Sequence, residues 1–317
     1  MTLKINSNYM QTLKTLIYKK SFLLLLLLVQ IQLYSQTKVT GENKPKNSKT
    51  LNVAAVQMRS SVSLSENTRK IKEALKNCAS QGARIAIFPE CALTGYFEEV
   101  IRKVTSEQIA SAEKEIAEEC RKADIYAIIG SPYREAGRLY NSATVFSPEG
   151  RIMERYHKVQ LAETWPDTGD HLSVFRIDDI PCSVIICHDE RYPELVRLPV
   201  LAGARVIFYI SHESGVGSES KINPYRAQIQ ARAVENNVYV VHSNAPANKD
   251  LTGSHGQSRI IGPDGNIIKE ASMFGEDVIT DQLDISKATG ENSKRSITRG
   301  PLKEWMEEGI KFVKIIQ

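Results

Sequence analysis

A cysteine, a glutamate and a lysine each stand at or just after the end of a short strand-like segment in this chain of 317 residues. Cys187 follows the run Ser183–Ile186 and is followed at once by a polar cluster, residues 188–191. A thiol at the C-terminal end of a strand, directly before a helix, can lie where backbone N–H groups favour negative charge and lower the thiol pKa. Cys187 is therefore a candidate nucleophile, and a buried, inert cysteine is the alternative.

Glu90 and Lys158 end two further segments of this kind. Glu90 follows the apolar residues 85–88 and Pro89, and Lys158 ends the segment 155–158. A carboxylate beside apolar surface should have a raised pKa, as a general base or acid requires. The residues alone leave a solvated acid and an ordinary surface lysine as the alternatives.

These segments resemble the nitrilase superfamily of carbon–nitrogen hydrolases. Phe88–Glu90, Tyr156–Lys158 and Ile186–Glu194 occur in the order and approximate spacing of that family, and the similarity covers residues 51–285. The resemblance implies a thiol-dependent hydrolase that cleaves a non-peptide C–N bond in a small molecule through a thioester intermediate.

The same resemblance implies a role for each reactive residue. Cys187 is expected to be the nucleophile, Glu90 the general base, Lys158 the cation that stabilises the oxyanion, and the backbone N–H of His188 a second oxyanion donor. Attack on an amide carbonyl needs such a set, because the nucleophile must lose a proton and the developing oxyanion must be stabilised. Many relatives use a second glutamate soon after the lysine, and Glu163 is the candidate here, with a surface acid as the alternative.

The residues after Cys187 bear on the substrate class. True nitrilases place Trp-Glu after the nucleophile, whereas this chain has His188-Asp189, which resembles the amidase and carbamoylase branches. The sequence therefore favours a small amide or N-carbamoyl compound as substrate. A nitrile hydrolase and a non-catalytic binding protein on the same fold are the alternatives.

Substrate-binding side chains are expected where apolar strands end near the site. Tyr96 and His212 each follow such a strand. Arg191 and Arg197 could pair with a substrate carboxylate, although arginines on a surface helix are more often solvated. We take Tyr96, Arg191 and His212 as the candidate substrate-binding residues.

A metal site and a papain-like cysteine–histidine site are both disfavoured. Residues 188–190 and 212–213 combine histidine with acids, but no metal-site spacing such as H-E-x-x-H is present. The local signature around a papain-like cysteine is absent as well. We expect no metal and no cofactor, and we interpret His242 and His255 as structural.

Alternating strands and helices must position these residues. Apolar spacing predicts a helix over 65–81 with Ser65 as its cap, and a capping box at Thr105 and Gln108 predicts a second helix over 106–122. Strands separated by helices indicate crossover units around a buried sheet, so the pattern supports an α/β fold with two or more sheets. The resemblance implies the four-layer α-β-β-α sandwich of the superfamily. Apolar strands are expected at 51–58, 84–88, 125–130, 181–187 and 205–210, and turn residues predict hairpins around 147–150 and 262–265.

The N-terminal region has the features of an export signal. Lysines precede the apolar run Phe22–Val29, which is too short for the roughly 20 residues that span a bilayer. The protein is expected to be exported, periplasmic or extracellular, and to touch a membrane only through an uncleaved leader. We predict a signal peptide over 1–36, a flexible linker over 37–50, the hydrolase domain over 51–285 and a C-terminal extension with a helix over 286–317.

Composition and charge exclude several classes of protein. Hydrophobic residues at 42% and charged residues at 25% are globular averages and exclude a disordered chain. Eight lysines against one acid give residues 1–50 a net charge of +7 and leave the remainder at −3, so no nucleic-acid partner is expected. The five cysteines are an odd number spread thinly, which excludes a disulfide framework.

The resemblance also implies a homodimer. Superfamily members usually pair so that the sandwich continues across the dimer, partly through a helix that corresponds to residues 223–236. This segment carries Ile229, Ala233 and Val234 on one side.

Overall fold

The computed structural model describes residues 50–214 and 222–308. The predicted signal peptide, the predicted linker up to residue 49 and the end of the predicted C-terminal helix lie outside the described residues. Within the described ranges, no helix combines the length and the apolar character needed to cross a membrane.

In the part of the chain that the structure describes, twelve strands form two six-stranded sheets. Sheet A contains β1 (Thr50–Gln57), β2 (Ile85–Ile87), β3 (Tyr126–Glu135), β4 (Arg138–Phe146), β5 (Ile152–His157) and β12 (Asp277–Asp284). Sheet B contains β6 (Phe175–Ile177), β7 (Ile180–Ile186), β8 (Val206–Ser211), β9 (Tyr239–Asn244), β10 (Arg259–Ile261) and β11 (Ile267–Glu270). The strand orders are β12-β1-β2-β3-β4-β5 in sheet A and β11-β10-β9-β8-β7-β6 in sheet B.

The α-helices connect the strands or follow them. They are α1 (Leu64–Ser80), α2 (Glu98–Lys103), α3 (Ser106–Ala123), α4 (Glu194–Leu201), α5 (Ile222–Asn236), α6 (Glu291–Thr298) and α7 (Gly300–Glu308). Two short 3₁₀ segments occur at Cys187–Arg191, called the 187–191 turn below, and at Ile285–Lys287.

The main core lies between the two sheets. Val53 and Ile128 of sheet A pack in one buried cluster with Val184 and Phe208 of sheet B. Successive residues of a strand point to opposite faces of the sheet, so alternate side chains enter this core. Both sheets therefore turn an apolar face toward each other.

Helices cover the outer face of each sheet. Ala54, next to Val53 on β1, packs with α1 and α3 on the other side of sheet A. On sheet B, Ile185 packs with Val196 of α4 and Ile229 of α5. The layers are helix, sheet, sheet and helix, which confirms the four-layer α-β-β-α sandwich.

Short-range signals located the helix starts closely. The predicted capping box is present, with Thr105 Oγ1 accepting from the Gln108 N–H at 3.3 Å and Gln108 Oε1 accepting from the Thr105 N–H at 2.9 Å. The first helix begins one residue earlier than predicted, because Ser63 rather than Ser65 is its cap. The Ser63 hydroxyl accepts from the Glu66 N–H at 3.3 Å.

One hairpin was missed. β3 continues to Glu135 instead of ending near Gly130, and it pairs with β4 along its length. The two turn residues, Ala136 and Gly137, have φ values of +49° and +80°. A two-residue hairpin turn needs such values, but alanine seldom adopts them, so this turn carries no clear sequence signal.

The strand directions bring several strand ends to one edge of the sandwich. β2 runs parallel to β3, and β5 runs in the same direction because each of the pairs β3–β4 and β4–β5 is antiparallel. In sheet B, β7 runs parallel to β8. The residues that follow β2 and β5, and those that follow β7 and β8, therefore share an edge within their own sheet.

Candidate active site

Glu90 lies in a tight turn after β2 that joins the two sheets. Its backbone N–H donates to the carbonyl of Ser211, the last residue of β8, at 3.3 Å. Gly130 on β3 permits the close approach of this turn, since a Cβ there would lie 2.3 Å from Pro89 O and 2.8 Å from Glu90 Cα. Cys91, the next residue, has a left-handed φ of +53°.

Three N–H donors surround the carboxylate of Glu90, which is only 2% exposed. Oε1 accepts from Lys158 Nζ at 2.9 Å and from Asn141 Nδ2 at 2.7 Å. Oε2 accepts from the backbone N–H of His212 at 2.8 Å. Asn141 was not predicted, and its only signal is an amide side chain inside a strand that should be buried.

Lys158 lies fully buried between two carboxylates. Its Nζ donates to Glu163 Oε1 at 2.5 Å as well as to Glu90. The loop that holds it depends on Gly169, whose N–H donates to Lys158 O at 2.9 Å. A Cβ on Gly169 would lie 2.2 Å from the carbonyl oxygen of His157. The structure thus brings Glu90, Lys158 and Glu163 together.

Burial and charge shift the pKa values of these groups in opposite directions. Burial raises the pKa of Glu90 above its usual value, although Lys158 and Asn141 act to lower it. Burial would lower the pKa of Lys158, but the nearby negative charges outweigh it and the pKa is raised. Burial likewise opposes ionisation of Glu163, yet the Lys158 charge prevails and the pKa is lowered. Glu90 is therefore the carboxyl group of this set that takes up a proton most readily.

Cys187 begins the 187–191 turn directly after β7 and packs against the edge of the core between the sheets. Its φ of +44° is left-handed, a conformation that costs a residue with a Cβ roughly 1–2 kcal/mol. Among the five cysteines it alone is partly exposed.

The thiol of Cys187 is neutral at rest. Burial, together with the negative charge of Glu90, raises its pKa well above the usual value, and Lys158 opposes this only in part. The lowered pKa expected from the strand-end position does not prevail, because the 187–191 turn is short and both burial and the Glu90 charge raise the pKa. Such a thiol needs a base to become a nucleophile.

Tyr96 and His212 lie against this cluster. The Tyr96 hydroxyl donates to Glu163 Oε1, and its ring stacks on the His212 imidazole with a centroid distance of 4.6 Å. Burial lowers the pKa of His212 to about 4, so the ring is neutral at pH 7. The two predicted residues form a flat wall beside the carboxylates.

Arg191 and His188 make other contacts within and beyond the 187–191 turn. The Arg191 guanidinium packs over the ring of Tyr225 on α5 and donates to its hydroxyl at 3.2 Å. The His188 ring meets Tyr192 edge-on at 5.8 Å. Arg197 lies on α4. Substrate binding by Arg191 and oxyanion binding by the His188 N–H stay predictions.

A second buried acid, Glu213, was not predicted as functional. Its Oε1 accepts from the Tyr209 hydroxyl at 2.7 Å, and its carboxylate lies 2.7 Å from His255 Nε2 and 3.7 Å from His242 Nε2. Burial opposes ionisation, but the two histidines outweigh it and hold the pKa of Glu213 at about 2. Across the described residues, no group of three or more His, Cys, Asp or Glu side chains is placed to hold a metal ion.

The chemistry available at this edge is acyl transfer. A neutral thiol, a buried carboxylate with a raised pKa and a buried ammonium group converge where the strands of both sheets end. Such groups can supply the nucleophile, the proton carrier and the electrostatic stabiliser that attack on a carbonyl requires.

Sequence comparison finds similar proteins along most of the chain. A family model described as carbon–nitrogen hydrolase matches residues 52–290. An omega-amidase NIT2 from Xenopus tropicalis is 31% identical over 254 residues, which are 74% of this chain and 88% of the relative. An omega-amidase NIT2 from Danio rerio is 28% identical over 268 residues, which are 78% of this chain and 93% of the relative.

Comparison of structures finds the same fold at lower sequence identity. A mutant of the Nesterenkonia AN1 amidase from the nitrilase superfamily superposes with a TM-score of 0.69 at 21% identity, covering 77% of this chain and 93% of the other. The Nit3 protein of Saccharomyces cerevisiae superposes with a TM-score of 0.70 at 22% identity, covering 80% of this chain and 96% of the other.

Proposed function

The chain belongs to the carbon–nitrogen hydrolase family of the nitrilase superfamily, and from this premise we propose that it hydrolyses a small amide or N-carbamoyl compound through a thioester on Cys187. Family membership and the omega-amidase relatives identify it as an amidase-type C–N hydrolase. Those relatives favour an amide as the first substrate class to test.

Acylation begins with proton transfer from the thiol. Glu90 accepts the proton of Cys187 Sγ as the sulfur attacks the carbonyl carbon. The developing oxyanion is stabilised by the Lys158 ammonium group and the backbone N–H of His188. The C–N bond then breaks while Glu90 returns the proton to the departing nitrogen, so an amine or ammonia leaves and a thioester remains.

In deacylation, water is the nucleophile and the Cys187 sulfur is the leaving group. Glu90 removes a proton from a water molecule, which attacks the thioester carbonyl, and the C–S bond breaks. The sulfur takes back the proton, the carboxylic acid leaves, and the free thiol is restored. Glu163 keeps Lys158 charged throughout and does not itself exchange a proton.

The environment of Glu90 carries the proposal. A buried carboxylate with a raised pKa that is also hydrogen-bonded to a buried ammonium group suits a general base better than a structural ion pair. If Glu90 and Lys158 formed only a structural ion pair, nothing would require the partly exposed thiol of Cys187 nearby, in a turn with a left-handed φ.

The test is turnover by the full-length chain and its Cys187→Ala variant. Ammonia or amine release is measured over aliphatic amides, carbamoyl amines, carbamoyl amino acids and nitriles. Cys187→Ala should lose at least about 10³-fold in kcat, and mass spectrometry should find an acyl adduct on Cys187 in the wild type. Cys120→Ala, a substitution at a buried thiol in the outer helix layer, is the matched control and should keep its activity.

The outcomes separate the alternatives. Conversion of nitriles with little action on the matching amides would identify a nitrilase. No turnover on the whole panel, together with no acyl adduct on Cys187 by mass spectrometry, would favour a binding protein and contradict the proposal.

We also propose that the protein acts outside the cytoplasm, on the basis of the leader sequence. Residues 1–50 fused to a phosphatase reporter that is active only after export should give activity in a bacterial host. Leu25→Arg, within the apolar run, should abolish it. Equal reporter activity for both fusions would show that this segment is not an export signal.

A further inference from the structure

Asp189 is a fully buried acid in the 187–191 turn. Its Oδ1 accepts from the backbone N–H groups of Gln160 at 2.8 Å and Val159 at 3.2 Å. Its Oδ2 accepts from the Ile186 N–H at 3.0 Å and from the Tyr156 hydroxyl at 2.7 Å. An ionised carboxylate offers about four acceptor positions, and here each one has a donor.

These donors come from both sides of the active site. Ile186 directly precedes Cys187 at the end of β7 in sheet B. Tyr156 belongs to β5 in sheet A, and the two residues after Lys158 supply the other N–H groups. One carboxylate therefore spans the gap across which the nucleophile and the cation must meet.

We infer that Asp189 is a positioning residue that fixes the 187–191 turn against the loop of Lys158, and so sets the placement of the thiol relative to the ammonium group in the transition state. This inference rests on the proposed function. Asp189 acts through its neighbours, because all four of its carboxylate contacts are to groups that take no part in the reaction.

The ionised form of Asp189 is the one that the contacts require. Burial raises its pKa to about 6, against the lowering effect of the N–H groups of Gln160 and Ile186 and of the Tyr156 hydroxyl. At pH 7 the carboxylate is therefore ionised and can accept from all four donors. An asparagine would keep the shape but place an NH₂ group, itself a donor, against one pair of donors.

The test compares the full-length Asp189→Asn variant with the wild type on an amide that the wild type hydrolyses. A misplacement of about 1 Å can cost roughly 100-fold in rate, so kcat should fall by about 10- to 100-fold while KM changes by less than about threefold. The concentration of folded protein is measured by near-ultraviolet circular dichroism, so that loss of folded protein is not read as loss of rate. Asp178→Asn, at a carboxylate paired with Arg84, is the matched control and should leave kcat unchanged.

A double-mutant cycle with Lys158→Met separates positioning from general stability. If Asp189 acts by placing the thiol relative to the ammonium group, Asp189→Asn should cost much less in the Lys158→Met background than in the wild type. Should Asp189→Asn not fold, Tyr156→Phe removes one donor and should show a smaller, equally non-additive loss in kcat.

Either of two results overturns the inference. One is an unchanged kcat per folded molecule in Asp189→Asn, even if its thermal stability falls. The other is a loss of kcat on Asp189→Asn that is as large in the Lys158→Met background as in the wild type. An inactive wild type would instead count against the proposed function, which keeps the two failures distinct.

Discussion

Glu90 is held in a balance between burial and three N–H donors. Burial alone would keep the carboxyl protonated and useless as a base, whereas the N–H groups of Lys158, Asn141 and His212 favour the ionised form. A group that both accepts and returns a proton in one cycle needs a pKa between these extremes. The donors are therefore as much a part of the base as the carboxylate.

Replacement of Asn141 should disturb this balance in a known direction. Asn141→Leu keeps the size of the side chain but removes a hydrogen bond that favours the ionised form, so the pKa of Glu90 should rise further. The acid limb of the kcat/KM profile should move to higher pH, with a loss of about 10- to 100-fold at neutral pH. Thr144→Val, a similar isosteric change on the same strand, should leave the acid limb of the kcat/KM profile at its wild-type pH. An acid limb that moves to lower pH in Asn141→Leu would contradict this account of Glu90.

Residues with a local motif were predictable, and their partners were not. Glu90, Lys158 and Cys187 each sit in a short segment that resembles a known family. Asn141 lies outside these segments, and Asp189 lies inside the segment 186–194 but was interpreted only as a mark of the substrate class. Their hydrogen bonds reach residues about 30 to 50 positions away, and no local pattern signals such a pairing.

The turn after β2 depends on the strand beside it. β2 is only three residues long, so packing against β3, rather than an extended ladder, fixes the direction of the chain at Glu90. Gly130 is the point of contact, and its missing side chain leaves the space that the turn occupies.

Gly130→Ala should therefore displace Glu90 through its backbone, with no direct contact to its carboxylate. The added methyl would lie 2.3 Å from a backbone oxygen, which cannot rotate away. We expect a loss of about 1–3 kcal/mol in the free energy of unfolding and a fall in kcat per folded molecule. Gly275→Ala, which would meet only the Ser272 hydroxyl at 3.2 Å, is the control. Unchanged kcat in Gly130→Ala would mean that the turn is held by other contacts.

Elements were predictable where their signals are short-range. The helix of residues 106–123 carries a capping box three residues across, and its start was located from it. β12 pairs with β1 more than 200 residues earlier in the chain, so its register depends on tertiary packing and was not predicted. The residue pattern supported two or more sheets, but the four-layer sandwich was expected only from the resemblance, since strand periodicity does not assign strands to sheets.

The predicted homodimer can now be tested on a defined surface. Ile229 and Ala233 of α5 are buried in the core of the protein itself. Val234 of α5 is 42% exposed, and Leu198 of α4 is 53% exposed. We expect a dimeric mass in light scattering at micromolar concentration and a shift toward monomer in Leu198→Glu. Ile152→Glu, at a side chain 46% exposed on the edge strand β5, should stay dimeric. A monomeric wild type would contradict the dimer, and a dimeric Leu198→Glu would place the interface elsewhere.

The groups proposed to react are divided between the two sheets: Glu90 and Lys158 extend from sheet A, and Cys187 extends from sheet B. A shift of one sheet along the other by a single residue, about 3.3 Å, would separate Cys187 Sγ from the Glu90 carboxylate. A loosened molecule could keep every backbone ladder and its far-ultraviolet spectrum while having no active site at all. Turnover therefore reports the alignment of the two sheets. During gradual denaturation, activity should be lost before the far-ultraviolet spectrum changes.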